Sequence, residues 1–154
     1  MYPKQHIIFG LFFSLILFLL FPKIGFFGAV VIFASSVLID VDHYIYYVFK
    51  KKDFSLKRAY IWNVEISKKF CHLSKEQRKK FHKPFHFFHG IEILIVLFFL
   101  GIIYSFFFFI LIGFSFHLIL DFFYEVKKMG VVTCKFSFID DFLKSKKYKK
   151  IGKN

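Results

Sequence analysis

Acidic side chains are scarce in this sequence. Ten Asp and Glu stand against 23 Lys and Arg, a formal charge of +13. Cysteine is nearly absent: Cys71 and Cys134 are far apart and in no metal-binding or redox spacing. That excludes a cysteine-ligated zinc module and predicts two free thiols on a reducing face. No two histidines are adjacent, so the His-His groups typical of oxidative di-iron membrane enzymes are missing. No sequence repeat is visible. No small-x-small cleavage site follows the first apolar run, which ends in Phe21-Pro22-Lys23, so that run is expected to be an uncleaved span and not a signal peptide.

What is present is apolar and aromatic. The 154 residues are 57% hydrophobic, with 28 Phe. Few soluble domains have such a composition. Residues 7–21 and 24–39 carry no charge, and Pro22-Lys23 between them reads as a turn. Each run gives roughly 23 Å of helix, short against a hydrocarbon core of about 30 Å. Residues 91–124 are too long for one crossing and divide near Gly101–Ser105. The expected fold class is therefore an all-α integral membrane protein with four short transmembrane helices, at about 6–21, 24–45, 86–103 and 106–124. These make a membrane domain over 1–126, with a basic loop at 50–85 and a basic cytoplasmic tail at 127–154. Apolar residues spaced along that loop, with Tyr60 and Trp62, predict an interfacial amphipathic helix. The tail segment VVTCKFSFIDDFL is a second, weaker case.

The positive charge is explained by sidedness. Four spans place 22 of the 23 Lys and Arg on one face, leaving Lys23 alone on the other. The positive-inside rule puts that face, and both termini, in the cytoplasm of a multi-pass cell-membrane protein. Nucleic acid is not needed to account for the charge. Membrane lipid, with anionic headgroups at the basic face, is the expected partner.

The few acids and imidazoles fall at span ends. His6 starts the first span. Asp40, Asp42 and His43 end the second. His86, His89 and Glu92 start the third. His117 and Asp121 lie late in the fourth. An antiparallel arrangement brings all of these to the cytoplasmic level. The pairs Asp40/His43, His86/His89, His89/Glu92 and His117/Asp121 are spaced i, i+3 or i, i+4 and so share a helix face. Asp40 and Asp42 do not, so either the helix opens there or one Asp stands behind the other. Ionisable groups at membrane depth are costly and point to function. Imidazole with carboxylate on facing helices suits a divalent metal, zinc first, with manganese or iron as alternatives, as one or two ions. The expected ligands are His6, Asp40, Asp42, His43, His86, His89, His117 and Asp121. Asp42 or Glu92 would be the general base.

The segments IDVDHYIYY, HFFHG and FHLILD, with His6 ahead of them, resemble the YdjM-like family of membrane-bound metal-dependent hydrolases. The resemblance runs from His6 to Asp121. Family members carry a His-Arg-Gly-x-Thr-His-Ser type segment where this chain has HKPFHFFHG, and only His89 aligns with its last His. The family is distantly similar to zinc-dependent phospholipase C and related nucleases, whose further downstream His and His-x-x-x-Glu ligands are missing here. The resemblance thus implies a hydrolase with one or two metals, not three. Together these readings predict hydrolysis of a phosphoester in a lipid or lipid-linked substrate. The alternatives are a non-enzymatic protein that binds or transports a metal ion or proton and, less favoured, a di-iron lipid hydroxylase.

Overall fold

Pro3 opens the first helix, where a missing backbone N–H costs nothing. Helix α1 runs Pro3–Leu20. A single 3₁₀ turn, Pro22–Ile24, follows, and Gly25 takes φ 67°, a conformation that glycine adopts without a Cβ clash. Helices α2 (Gly25–Leu38), α3 (Val41–Lys51), α4 (Leu56–His72), α5 (Ile91–Ile103) and α6 (Phe106–Met129) follow. The computed structural model describes residues 3–74, 76–77, 81–82, 87–129, 137 and 149–150. Outside the helices, Phe81–His82 (β1) pairs in parallel with Lys149–Lys150 (β2). The expected tail helix, His86 and Cys134 lie outside the described residues.

Among those residues three helical runs are long and apolar enough to cross a membrane: Pro3–Leu20, Pro22–Lys51 and Phe106–Lys127. By length and composition they are helices of the kind that cross a membrane. Helix α5 is apolar too, but its 13 residues reach only about 20 Å. Two expectations need correction. The helix expected to start at 86 starts at Ile91, because Phe87–Gly90 form a turn and Gly90 is extended (φ −96°, ψ 149°). His89 therefore sits on a turn, and the i, i+3 face it was expected to share with Glu92 does not form. The second expected span is likewise not one helix: it opens at Ile39–Asp40.

The chain divides into two compact units. The first comprises Met1–Asp40 and His89–Phe136. In it α2 packs against both α1 and α6, and α5 packs on α6. The α2–α6 seam is lined with small residues. A Cβ on Gly113 would meet the Ser35 hydroxyl and stand 2.5 Å from the Ile32 carbonyl oxygen. On the other face of α2, a Cβ on Gly10 of α1 would meet the Ser36 hydroxyl. The serines tolerate this apolar seam because their hydroxyls donate to their own helix, Ser35 to Val31 O at 2.8 Å and Ser36 to Phe33 O at 2.7 Å. Small residues that let helix backbones approach are what association in lipid requires, since lipid tails are as apolar as leucine. The large side chains Phe12, Leu19, Phe26 and Phe99 point outward accordingly.

The second unit comprises Val41–Phe88 and Ser137–Asn154. Here α3 and α4 pack as a hairpin, and the expected helix in the basic loop is present as α4. Ser55 caps α4, its hydroxyl accepting the Arg58 N–H at 3.4 Å. Ala59, Ile66 and Phe70 form its buried face. Trp62 packs on Tyr46 and Tyr47, with the Lys50 ammonium 5.6 Å from its ring.

Asp53 organises the connecting turn. It accepts from Arg58 Nε at 2.6 Å, from the other guanidinium arm at 2.7 Å, from the Ser55 N–H at 3.0 Å and from the Tyr47 hydroxyl. The Arg58 guanidinium, then the Tyr47 hydroxyl and the Ser55 N–H, hold its carboxyl well below the usual carboxylate range. A depressed carboxyl contributes fully above its unfolded value, near 3.8, and its contribution is lost as pH falls through the lower folded value. The emission of Trp62, the one tryptophan, is therefore expected to stay flat from neutral pH to about pH 4 and to change only below it. Asp53→Asn should abolish that acid step. A fluorescence transition already complete at about pH 5 would contradict this assignment.

Candidate metal centre

Five ionisable side chains meet at one end of the first unit. His6 lies in the opening turns of α1, Asp40 directly after α2, His89 in the turn before α5, and His117 with Asp121 one turn apart on α6. His6 and His117 are 1% and 0% exposed. Span order brings these groups together: α1 and α5 start at this end, α2 and α6 finish there.

The distances are short and numerous. Asp121 Oδ1 is 3.2 Å from His6 Nε2, and its Oδ2 is 3.5 Å from His117 Nε2 and 3.9 Å from His89 Nε2. Asp40 Oδ1 is 3.5 Å from both His89 Nε2 and His117 Nε2. The His6 ring stacks on that of His117, centroids 3.9 Å apart and 11° from parallel. Two groupings of three ligand atoms have metal-site spacing within this unit: His6, Asp40 and His117; and His89, His117 and Asp121.

The tautomer of His117 decides what these distances mean. Its Nδ1–H donates to the Ser36 carbonyl at 2.8 Å. That carbonyl is available because α2 ends at Leu38, and carbonyls of a last helical turn lack intrahelical partners. In the uncharged tautomer with its proton on Nδ1, Nε2 is a lone pair facing two carboxylate oxygens. Nε2 is buried without a hydrogen-bond partner, as is His6 Nδ1, whereas His6 Nε2 has Asp121 Oδ1 at 3.2 Å. Acceptors converging in a buried place repel one another unless a cation stands among them. Ligand atoms about 2.0–2.2 Å from a tetrahedral zinc lie about 3.3–3.5 Å from one another. The 3.5 Å separations here match that spacing and are long for hydrogen bonds. A backbone carbonyl that fixes the far nitrogen is the usual outer support of a metal-binding histidine. The donor set thus fits a divalent ion.

Three other expected site residues are not members of these two groupings. Asp42 is in the second unit, 5% exposed, where its Oδ2 accepts the Phe88 N–H at 3.0 Å. The helix opening between Asp40 and Asp42 is what gives the two acids separate tasks. His43 is half-buried in α3 of that unit, and Glu92 is half-buried in the first turn of α5. Sequence reasoning missed two contributors, the Ser36 carbonyl and Gly113. A backbone acceptor leaves no residue-type signal. Gly113 did leave one, four residues before His117 on the same helix face. Comparison with known protein families, curated proteins and solved structures finds no match to this chain.

Proposed function

We propose that the protein is a membrane-bound metal-dependent hydrolase acting on a phosphoester of a lipid or lipid-linked substrate, as its resemblance to the YdjM-like family implies. The observation that carries this reading is the bare, buried Nε2 of His117 facing two carboxylates at 3.5 Å. His89, His117 and Asp121 would hold the ion, zinc by preference. His117 has only Nε2 to offer, so the two overlapping groupings compete for one ion, and one ion per chain is expected. His6 stacks on His117 and meets the other oxygen of Asp121, which orients both. Asp40, the most exposed of the five at 22%, lies at the open side and takes the proton of the attacking water. When bound, the ion supplies Lewis-acid polarisation and activates water at neutral pH.

The site's place at one end of apolar helices supports a substrate cleaved at headgroup level. With α5 as a fourth, short span, the basic segments share the cytoplasmic face of the cell membrane and draw anionic headgroups to it.

The test is elemental analysis of detergent-purified protein, followed by phosphate-ester hydrolysis with and without chelator. About one zinc per chain is expected. His89→Ala should lose it, while His6→Ala keeps it with affinity reduced roughly 10–100-fold, the usual cost of an outer partner. Metal bound with no hydrolysis of any phospholipid or lipid-linked phosphoester would make the protein an ion-binding one. No metal under loading conditions would remove the mechanism.

A further inference from the structure

The turn between α3 and α4 holds large apolar side chains in the open on a rigid frame. Phe49, Phe54 and Leu56 are 72%, 76% and 69% exposed. Lys52 takes φ 56°, a left-handed conformation that non-glycine residues rarely adopt. The four bonds to Asp53 described above fix the turn from inside, and the Tyr44 hydroxyl donates to the Phe54 carbonyl at 2.9 Å. The backbone of Phe54 is therefore pinned while its ring points away from the protein. Around these three residues stand Lys50, Lys51, Lys52, Lys57 and Arg58, with Asp53 the one acid between 50 and 58. The Asp53 carboxylate is taken by Arg58, and Lys51, Lys52 and Lys57 are exposed.

The turn follows directly on Pro22–Lys51, a run long and apolar enough to cross a membrane. Protruding apolar side chains ringed by lysine match a bilayer with anionic lipid, where apolar area and charge attraction add. We propose that the α3–α4 turn docks on an anionic lipid surface, with Phe49, Phe54 and Leu56 entering the acyl layer and Lys51, Lys52 and Lys57 among the phosphates. This surface rests on the membrane reading alone and does not depend on the hydrolase reading.

The experiment uses the full chain in lipid nanodiscs. Phe54→Trp is combined with Trp62→Phe so that one indole reports, and Phe49→Trp in the same background gives a second, independent position. Circular dichroism and a monodisperse elution profile verify folding. Nanodiscs contain phosphatidylcholine brominated in its acyl chains, with or without phosphatidylglycerol. With phosphatidylglycerol, the new indoles should lose most of their emission. High salt, or Lys51→Gln with Lys52→Gln and Lys57→Gln, should restore it, because exposed charges are screened beyond about 10 Å at 0.1 M salt. Unquenched emission in both lipid mixtures would show a turn in water and overturn the proposal. Equal quenching in phosphatidylcholine alone would overturn it too, since no anionic surface would be needed. A blue-shifted, unquenched emission that depends on protein concentration would give the surface to a second copy of the chain. None of these readouts involves metal or hydrolysis, so they fail or succeed apart from the active-site reading.

Discussion

Replacing His117 by alanine is expected to empty the metal site. His117 belongs to both groupings in the first unit, and its Nε2 lies 3.5 Å from Asp40 and from Asp121. The loss of affinity should exceed the roughly 10–100-fold that removal of an outer partner costs. Stability provides a second readout. A ligand at about 100 times its Kd stabilises the folded state by about 2.7 kcal/mol. Added zinc at that ratio should raise the unfolding free energy of the wild type by that increment and leave that of His117→Ala unmoved. Asp121→Asn makes the contrast sharper. It should also bind metal poorly, yet in chelator it should unfold no earlier than wild type, because one of the two carboxylates facing the His117 lone pair has been neutralised. A His117→Ala protein that keeps full zinc occupancy would refute the central role of this residue.

Gly113→Ala is expected to be the most damaging methyl that can be added to the first unit. The new Cβ would meet the Ser35 hydroxyl, stand 2.5 Å from the Ile32 carbonyl oxygen and 3.0 Å from the Ser36 nitrogen. Two of those three neighbours are backbone, so α2 and α6 must separate. Overpacking costs of this kind run about 1–3 kcal/mol. Separation also draws the Ser36 carbonyl away from His117 Nδ1, releasing the tautomer. Zinc affinity should therefore fall although no ligand has changed. Gly101→Ala is the control. Its nearest neighbours are ring atoms of Phe108, 2.8 Å away, and a side chain can swing aside. Thermal unfolding and zinc titration of both variants in the same detergent decide the matter. Equal stability and affinity for Gly113→Ala and wild type would show that the seam does not hold the site.

The amino-acid sequence by itself determined that the chain is helical and apolar, and which helix ends meet. Charge-free runs of the length of 7–21 have one stable form in lipid, because every backbone polar group must be satisfied within the segment. Pro22 and the Tyr104-Ser105 break set two reversals, and after those the order of spans alone carries His6, Asp40, His89, His117 and Asp121 to a common end. That much follows from period and connectivity, which are local properties.

Tertiary structure alone decided the task of each acid and each nitrogen. Asp40 and Asp42 look equivalent in the string IDVDHYIYY. The opening of the helix at Ile39–Asp40 sends Asp40 to the histidines and Asp42 to the Phe88 N–H. His89 was expected on a helix face and lies on a turn, because Gly90 is extended. The tautomer of His117 depends on a carbonyl of another helix, which approaches only because Gly113 and Ser35 let two backbones come close. Residue type records what a side chain can donate or accept. Which partner it finds is set by backbone separations of a few tenths of an ångström, and those are decided by packing across the whole unit.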